Sequence, residues 1–336
     1  MELLLAGVIV AAVMFAGSNG FHDAALTIGN AVVGRAMNPR WALGLAVVFN
    51  FIGALLGEGI AFVVANQIVH FSGAPEVVLT SLIIAFASAT IWSLFTYYLA
   101  LPVSSTHCLI GGLLGAGIVL GFTIDSHEAM DSVVWPLVLS PILGFVLSWA
   151  LTLLLSKIFA STPPKPLFRG ARMVDSVLTA SLSLVHGVQD AQKIAALVMV
   201  GLLAVETSPH TELSVLEISW PVRLLIAAAL AAGTGLSGWR VVRTLSVRMA
   251  KLDPVKSATA DATASVLMYT AAIIMRVPVS LTFVLGPAIL GTQYAGRKGH
   301  ARARFFVPVF GVWLLTIPAA ALLAIGIGAV VKLGLG

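Results

Sequence analysis

Two aspartates, Asp23 and Asp190, stand inside stretches so apolar that a carboxylate there must find a partner or water. A charge at the centre of a bilayer costs about 3 kcal/mol even on lenient scales, so an intramembrane carboxylate marks an ion or substrate path by default. Each lies in a similar hexapeptide, Gly20-Phe21-His22-Asp23-Ala24-Ala25 and Gly187-Val188-Gln189-Asp190-Ala191-Gln192. His22 is a local mate for Asp23, and Lys193, one helical turn on, is a ready mate for Asp190. Helix-breaking and amide-bearing residues precede both: Gly17-Ser18-Asn19-Gly20 and His186-Gly187-Val188-Gln189. We expect breaks there that free backbone carbonyls. A carboxylate among freed carbonyls and side-chain oxygens, Asn19 included, suits sodium, and one beside an imidazole such as His22 suits a proton.

A second pair of landmarks carries hydroxyls. Pro102-Val103-Ser104 and Pro278-Val279-Ser280 each interrupt an apolar stretch and start a new one. Ser104, Ser105 and Thr106 thereby sit at a helix N-terminus, as do Ser280 and Thr282. Unsatisfied amides and the positive end of the helix dipole draw an anion to such an end. Ser and Thr are also ordinary helix caps. Two such ends facing one another would clamp one tetrahedral anion. Asp261, seventeen residues ahead of Pro278, is a further cation ligand candidate, Glu58 a weaker one, and Arg276 is either an anion contact or the mate of an acid.

The elements that position these groups are membrane spans. The 336 residues are 59% apolar and only 10% charged, with a mean hydropathy of +1.03. Soluble domains carry about a quarter charged residues, and a spanning helix needs about 20 mostly apolar ones. The first apolar run follows Glu2 rather than a basic stretch and is too long for a signal peptide, so it reads as a retained helix. The single cysteine, Cys108, excludes an intrachain disulfide. The net charge of +5 sits in short loops, where membrane orientation accounts for it better than nucleic acid.

Basic loops around Arg35 and Arg40, Lys157 to Arg172, Arg240 to Lys256 and Arg297 to Arg304 alternate with the acidic stretches Asp125 to Asp131 and Glu206 to Glu217. With basic loops in the cytoplasm, both termini lie outside the cytoplasmic membrane. The predicted fold is an all-α polytopic membrane protein: an inverted-topology repeat of transmembrane helices with two re-entrant helical hairpins. Residues 1–160 form the first repeat with its hairpin at 77–122. A cytoplasmic linker spans 161–175, and residues 176–336 form the inverted second repeat with its hairpin at 257–295. The Asp landmarks are offset by 167 residues and the hairpin landmarks by 176, close enough for duplication with an insertion. Inverted repeats with interrupted helices are the plan of secondary transporters. The Gly-rich stretch Gly233 to Gly238 lies within a span and reads as close helix packing, not a dinucleotide loop.

The segments NGFHDAA, PVSSTH, HGVQDAQK and GLSGWRVVRTL, in this order, resemble the PiT family of inorganic phosphate transporters, and RAM and VFNF look like its bacterial low-affinity branch. The resemblance implies a symporter driven by sodium or protons, carrying phosphate free or as a neutral divalent-metal complex. It implies no enzyme activity and no cofactor beyond the coupling ion. It matches Asp23 and Asp190 to the paired motif aspartates, and Ser104, Ser105 and Thr106 to the first anion-binding hairpin. The expected substrate contacts are these with Ser280, Thr282 and Gln189; the expected coupling-ion ligands are Asp23, Asn19, His22, Asp190 and Asp261. Three departures stand out: Ser280-Leu281-Thr282-Phe283 where the family repeats Ser-Thr-Thr-His, Gln189 where it has Asn before the second Asp, and Leu26 where an Asn often follows the first. A sulfate or other oxyanion permease of the same fold is the alternative. A channel and a membrane-embedded lipid-phosphate enzyme are the rivals from other classes. Lipids are expected partners, nucleic acid is not, and a homodimer is compatible with the sequence.

Overall fold

A computed structural model describes residues 1–56, 74–121, 135–205, 219–237, 240–248, 250–295 and 303–335. Glu58 and the acidic stretches 125–131 and 206–217 lie outside the described residues. Among the described residues ten helices longer than one turn carry the fold: α1 (Glu2–Val33), α2 (Pro39–Leu55), α3 (Pro75–Tyr98), α4 (Ser105–Leu120), α5 (Trp135–Ile158), α6 (Pro164–Val205), α7 (Trp220–Gly235), α8 (Pro254–Tyr269), α9 (Leu281–Tyr294) and α10 (Ala303–Leu335). No strand occurs among the described residues. Among the described residues six helices are long and apolar enough to span a bilayer, and the outward faces are greasy. Leu314, Leu322 and Val330 on α10 are 65%, 68% and 70% exposed, which only a lipid surround tolerates along one helix face. The protein is a multi-pass membrane protein.

The expected breaks at Gly17–Gly20 and His186–Gln189 do not occur. α1 runs unbroken through Asn19 and Asp23, and α6 through His186 and Asp190. The glycines serve helix crossing instead. A Cβ on Gly20 would collide with the Leu230 carbonyl of α7, and one on Gly233 of α7 with the Gly17 carbonyl. α2 and α6 cross in the same way, Gly53 against the Leu184 carbonyl and Gly187 against that of Asn50. In lipid, where no water drives helices together, backbones this close gain their attraction from packing.

The stretch 161–175 differs from a linker too, because Pro164 opens the 42-residue α6. Proline in a first turn removes only an amide that would lack a partner anyway. Lys165 and Arg169 decorate this exposed beginning, and Asp175 is its first fully buried residue.

Two hairpins complete the architecture. α3 and α4 flank the turn at Pro102; α8, extended by the π-helical Thr270–Met275, and α9 flank the turn at Pro278. Each turn opens on a non-glycine residue in the left-handed region, Ala100 at φ 56° and Arg276 at φ 56°, two positions before the proline. Strain of this kind persists only where surroundings over-determine it. The packing pattern repeats as well: α4 lies on α10 as α9 lies on α5, and α3 on α1 as α8 on α6.

Candidate functional site

Asp190 is the centre of the buried polar network. Its Oδ1 receives Lys193 Nζ at 2.6 Å, and its Oδ2 receives Asn19 Nδ2 at 2.8 Å across the α1–α6 contact. Ser105 Oγ, at the start of α4, lies 3.5 Å from the same Oδ2. Lys193 then reaches past the carboxylate to Thr106, Nζ to Oγ1 2.8 Å. One ammonium thus ties the carboxylate of α6 to the N-terminus of the first hairpin's second helix. All five side chains are buried, where charge-assisted bonds are at their strongest.

Asp23 sits on the opposite helix. His22 donates from Nδ1 to Asp23 Oδ1 at 2.5 Å. Ligand atoms of Asp23, His186 and Asp190 all lie within 4.8 Å of one another, so the two motif aspartates meet although 167 residues separate them.

The protonation pattern of His186 follows from its neighbours. Thr234 donates to the Leu230 carbonyl at 2.8 Å, so its oxygen accepts from Asn50 Nδ2 at 3.4 Å. Asn50 therefore turns Oδ1 to His186 Nδ1, 2.8 Å away, and Nδ1 carries a hydrogen. The other ring nitrogen, Nε2, faces Asp190 Oδ2 at 3.1 Å. A proton on Nε2 turns a clash of lone pairs into an attraction.

The two hairpins use their hydroxyls differently. Ser104 caps α4, accepting from the His107 amide at 3.2 Å. Ser280, its counterpart, makes no cap bond, and its buried Oγ has no partner. Thr282 donates to the Val103 carbonyl at 3.0 Å, which locks one turn against the other. Trp313 clamps the first turn from α10, donating to the Pro102 carbonyl at 3.0 Å. Phe283 fills the place of an imidazole by packing edge-on against His107 and stacking on Trp313.

Of the residues expected in the site, Asp23, Asn19, His22, Asp190, Ser105 and Thr106 come together, with Ser280 and Thr282 at the facing turn. Gln189 serves another end. It accepts from the Val279 amide at 3.3 Å and donates to the Met268 carbonyl at 3.4 Å, so it ties the second hairpin to α6. Arg276 is exposed and does not enter the site. Asp261 lies elsewhere, bonded to Asn30. Sequence reasoning treated Lys193 only as a mate for Asp190 and missed Asn50 and Thr234, whose polarity in apolar spans was the available signal.

A buried carboxylate pair beside two facing helix starts, within a bundle of spanning helices and hairpins, is the arrangement of a membrane transporter. The chain matches the phosphate transporter family over residues 19–175 and again over 165–324, and it belongs to that family. It is 32% identical over 320 residues to a probable low-affinity inorganic phosphate transporter of Bacillus subtilis, covering 94% of this chain and 93% of that one. A protein of the same description from Rhizobium meliloti is 33% identical over 325 residues, covering 96% and 94%. These relatives are named as transporters, not enzymes. In fold, the chain is similar to a solved structure described as the sodium-dependent phosphate transporter, with TM-score 0.84, 20% identity, and 98% and 99% of the two chains covered.

Proposed function

We propose that this protein is a secondary active symporter that carries inorganic phosphate across the cytoplasmic membrane, its termini outside, with a cation as driving ion. The observation that carries the reading is the Asp190–Lys193–Thr106 chain, because it joins a carboxylate that responds to cations to a helix N-terminus that attracts anions. Phosphate would sit between the hairpin turns, reached by Ser105, Thr106 and the unpartnered Ser280 Oγ, with Lys193 supplying the counter-charge. Alternating access then follows when anion and cation load together, since each offsets the cost of burying the other.

Of the two coupling ions, the proton is favoured. Asp190 already receives Lys193 on one oxygen and Asn19 on the other, whereas His186 Nε2, facing Asp190, offers a proton position. Phosphate near neutral pH also keeps a proton that it can donate to a carboxylate such as Asp23, and sulfate keeps none, so the site favours phosphate over sulfate. Purified protein in proteoliposomes, with proton and sodium gradients imposed separately, tests both points. Radiolabelled phosphate should accumulate with the proton gradient and be unaffected by excess sulfate. Accumulation only with sodium would reassign the ion to the Asp23–His186–Asp190 cluster, and sulfate competition at similar concentration would sink the substrate assignment.

A further inference from the structure

A second buried acidic pair lies away from the site, between α6, α8 and α1. Asp261 Oδ1 receives Asn30 Nδ2 at 2.6 Å, and Asn30 Oδ1 in turn receives Ser246 Oγ at 2.9 Å. Asp175 Oδ2 receives Ser257 Oγ at 2.7 Å. The remaining oxygens, Asp175 Oδ1 and Asp261 Oδ2, are buried without a hydrogen-bond donor, and Ser257, which holds Asp175, lies one helical turn before Asp261 on α8, so the two carboxyl groups are neighbours. Both residues are fully buried.

The donors around this pair identify what it takes up. Every neighbouring side chain bonded to it, Asn30 and Ser257, presents a hydrogen. A sodium ion needs a shell of oxygens, whereas two neighbouring carboxyl groups need only one hydrogen between them. The charged side chains nearest in sequence are Arg172 on α6, Arg35 just past α1, and Asp253 and Lys256 at the start of α8. Among the described residues none forms an ion pair with either carboxyl. Asp253 is engaged in capping α8.

The pair is also connected to the central site. Along α1 the polar residues Asn19, Asp23, Thr27 and Asn30 follow at helical spacing, and along α6 so do Asp190, His186, Ser183, Thr179 and Asp175. Ser183 Oγ bonds Thr27 Oγ1 at 2.9 Å, midway between the two clusters. Fifteen residues of helix separate Asp190 from Asp175, about 22 Å at 1.5 Å per residue. Nothing in the fold demands this polarity. The 167-residue offset that relates Asp23 to Asp190 also relates Val8 to Asp175 and Asn30 to Leu197, and the 176-residue hairpin offset relates Ala85 to Asp261. Val8, Ala85 and Leu197 are buried together in the apolar core.

We infer that Asp175 and Asp261 form a proton-binding carboxyl pair at the cytoplasmic end of a polar file between α1 and α6, and that the coupling proton occupies this pair on its way between the central site and the cytoplasm. Among the described residues the file exists in one half only, so it gives the carrier a proton route on one side of the membrane. This rests on the proton-coupled reading above.

The test uses the full-length protein with Asp175→Asn, Asp261→Asn, and the variant Asp175→Val with Asp261→Ala, which copies the apolar packing of the other half and guards against misfolding. Infrared difference spectroscopy during a pH titration should show one protonated-carboxyl band that disappears in each variant. In proteoliposomes, proton-driven phosphate accumulation should fall by about tenfold more than phosphate–phosphate exchange does, the ratio expected when a coupling term of ordinary size is lost. A wild-type band that persists in all three variants, or accumulation and exchange that fall together, overturns the assignment. If the wild type shows the band but no proton-driven accumulation, the coupling proposal fails while the carboxyl pair stands as a proton site without a transport role, which also overturns the inferred route.

Discussion

Lys193 holds Asp190 at 2.6 Å and Thr106 at 2.8 Å, so a single side chain bridges the long central helix and the tip of the first hairpin. An i,i+3 ion pair within one helix would be an ordinary stabilising contact. The reach to Thr106 changes its meaning, because the ammonium now reports to the carboxylate whether the hairpin is in place.

Removing that ammonium strands a buried charge. Lys193→Ala should therefore destabilise the folded protein by about 3 kcal/mol or more, the usual cost of breaking a buried pair from one side. Pairing it with Asp190→Asn should recover much of the stability and none of the transport. Thermal unfolding in detergent and phosphate uptake, read side by side, check both halves of the expectation.

Among the described residues Asp23 has His22 as its hydrogen-bond partner, and it faces the His186–Asp190 cluster. Asp23→Asn should abolish coupled phosphate accumulation while the protein remains inserted and folded. Full residual transport would make the carboxylate structural.

Ser104 and Ser280 occupy matching positions with different duties. Ser104→Ala removes a cap and should cost about 1 kcal/mol of stability. Ser280→Ala removes no bond found in the structure, so stability should hold while KM for phosphate rises. Equal stability losses in the two variants would contradict this division of labour.

Gly20 and Gly233 set how closely α1 approaches α7. Gly20→Ala places a methyl against the Leu230 backbone, which cannot swing aside. Overpacking of this kind costs about 1–3 kcal/mol. Yield and melting temperature in detergent should fall more for Gly20→Ala than for Gly44→Ala, where a Cβ meets nothing.

Much of the site was legible in the amino-acid order. Carboxylates in apolar spans, Pro-Val-Ser turns followed by hydroxyls, and a lysine one turn past Asp190 are local features, and each reflects a local cost: an unpaired charge in lipid, a missing amide, an uncapped helix end. The same local reasoning misjudged Gly17 to Gly20 as a break, because glycine weakens a helix and lets another backbone approach, and only the neighbour α7 shows which use applies. It also placed Asp175 in a linker, although the spacing of Asp175, Thr179, Ser183 and His186 repeats every three or four residues along α6.

The order of residues determined a membrane protein with a repeated pair of aspartates and hydroxyl-bearing hairpins, since hydropathy, charge and helix breaking are properties of short segments. The tertiary structure alone decided that Asn50 orients His186, that Thr282 locks onto Val103, and that Asp175 meets Asp261. Those contacts join residues 86 to 179 positions apart. They depend on the angle and depth at which helices cross, which periodicity along one helix leaves undetermined.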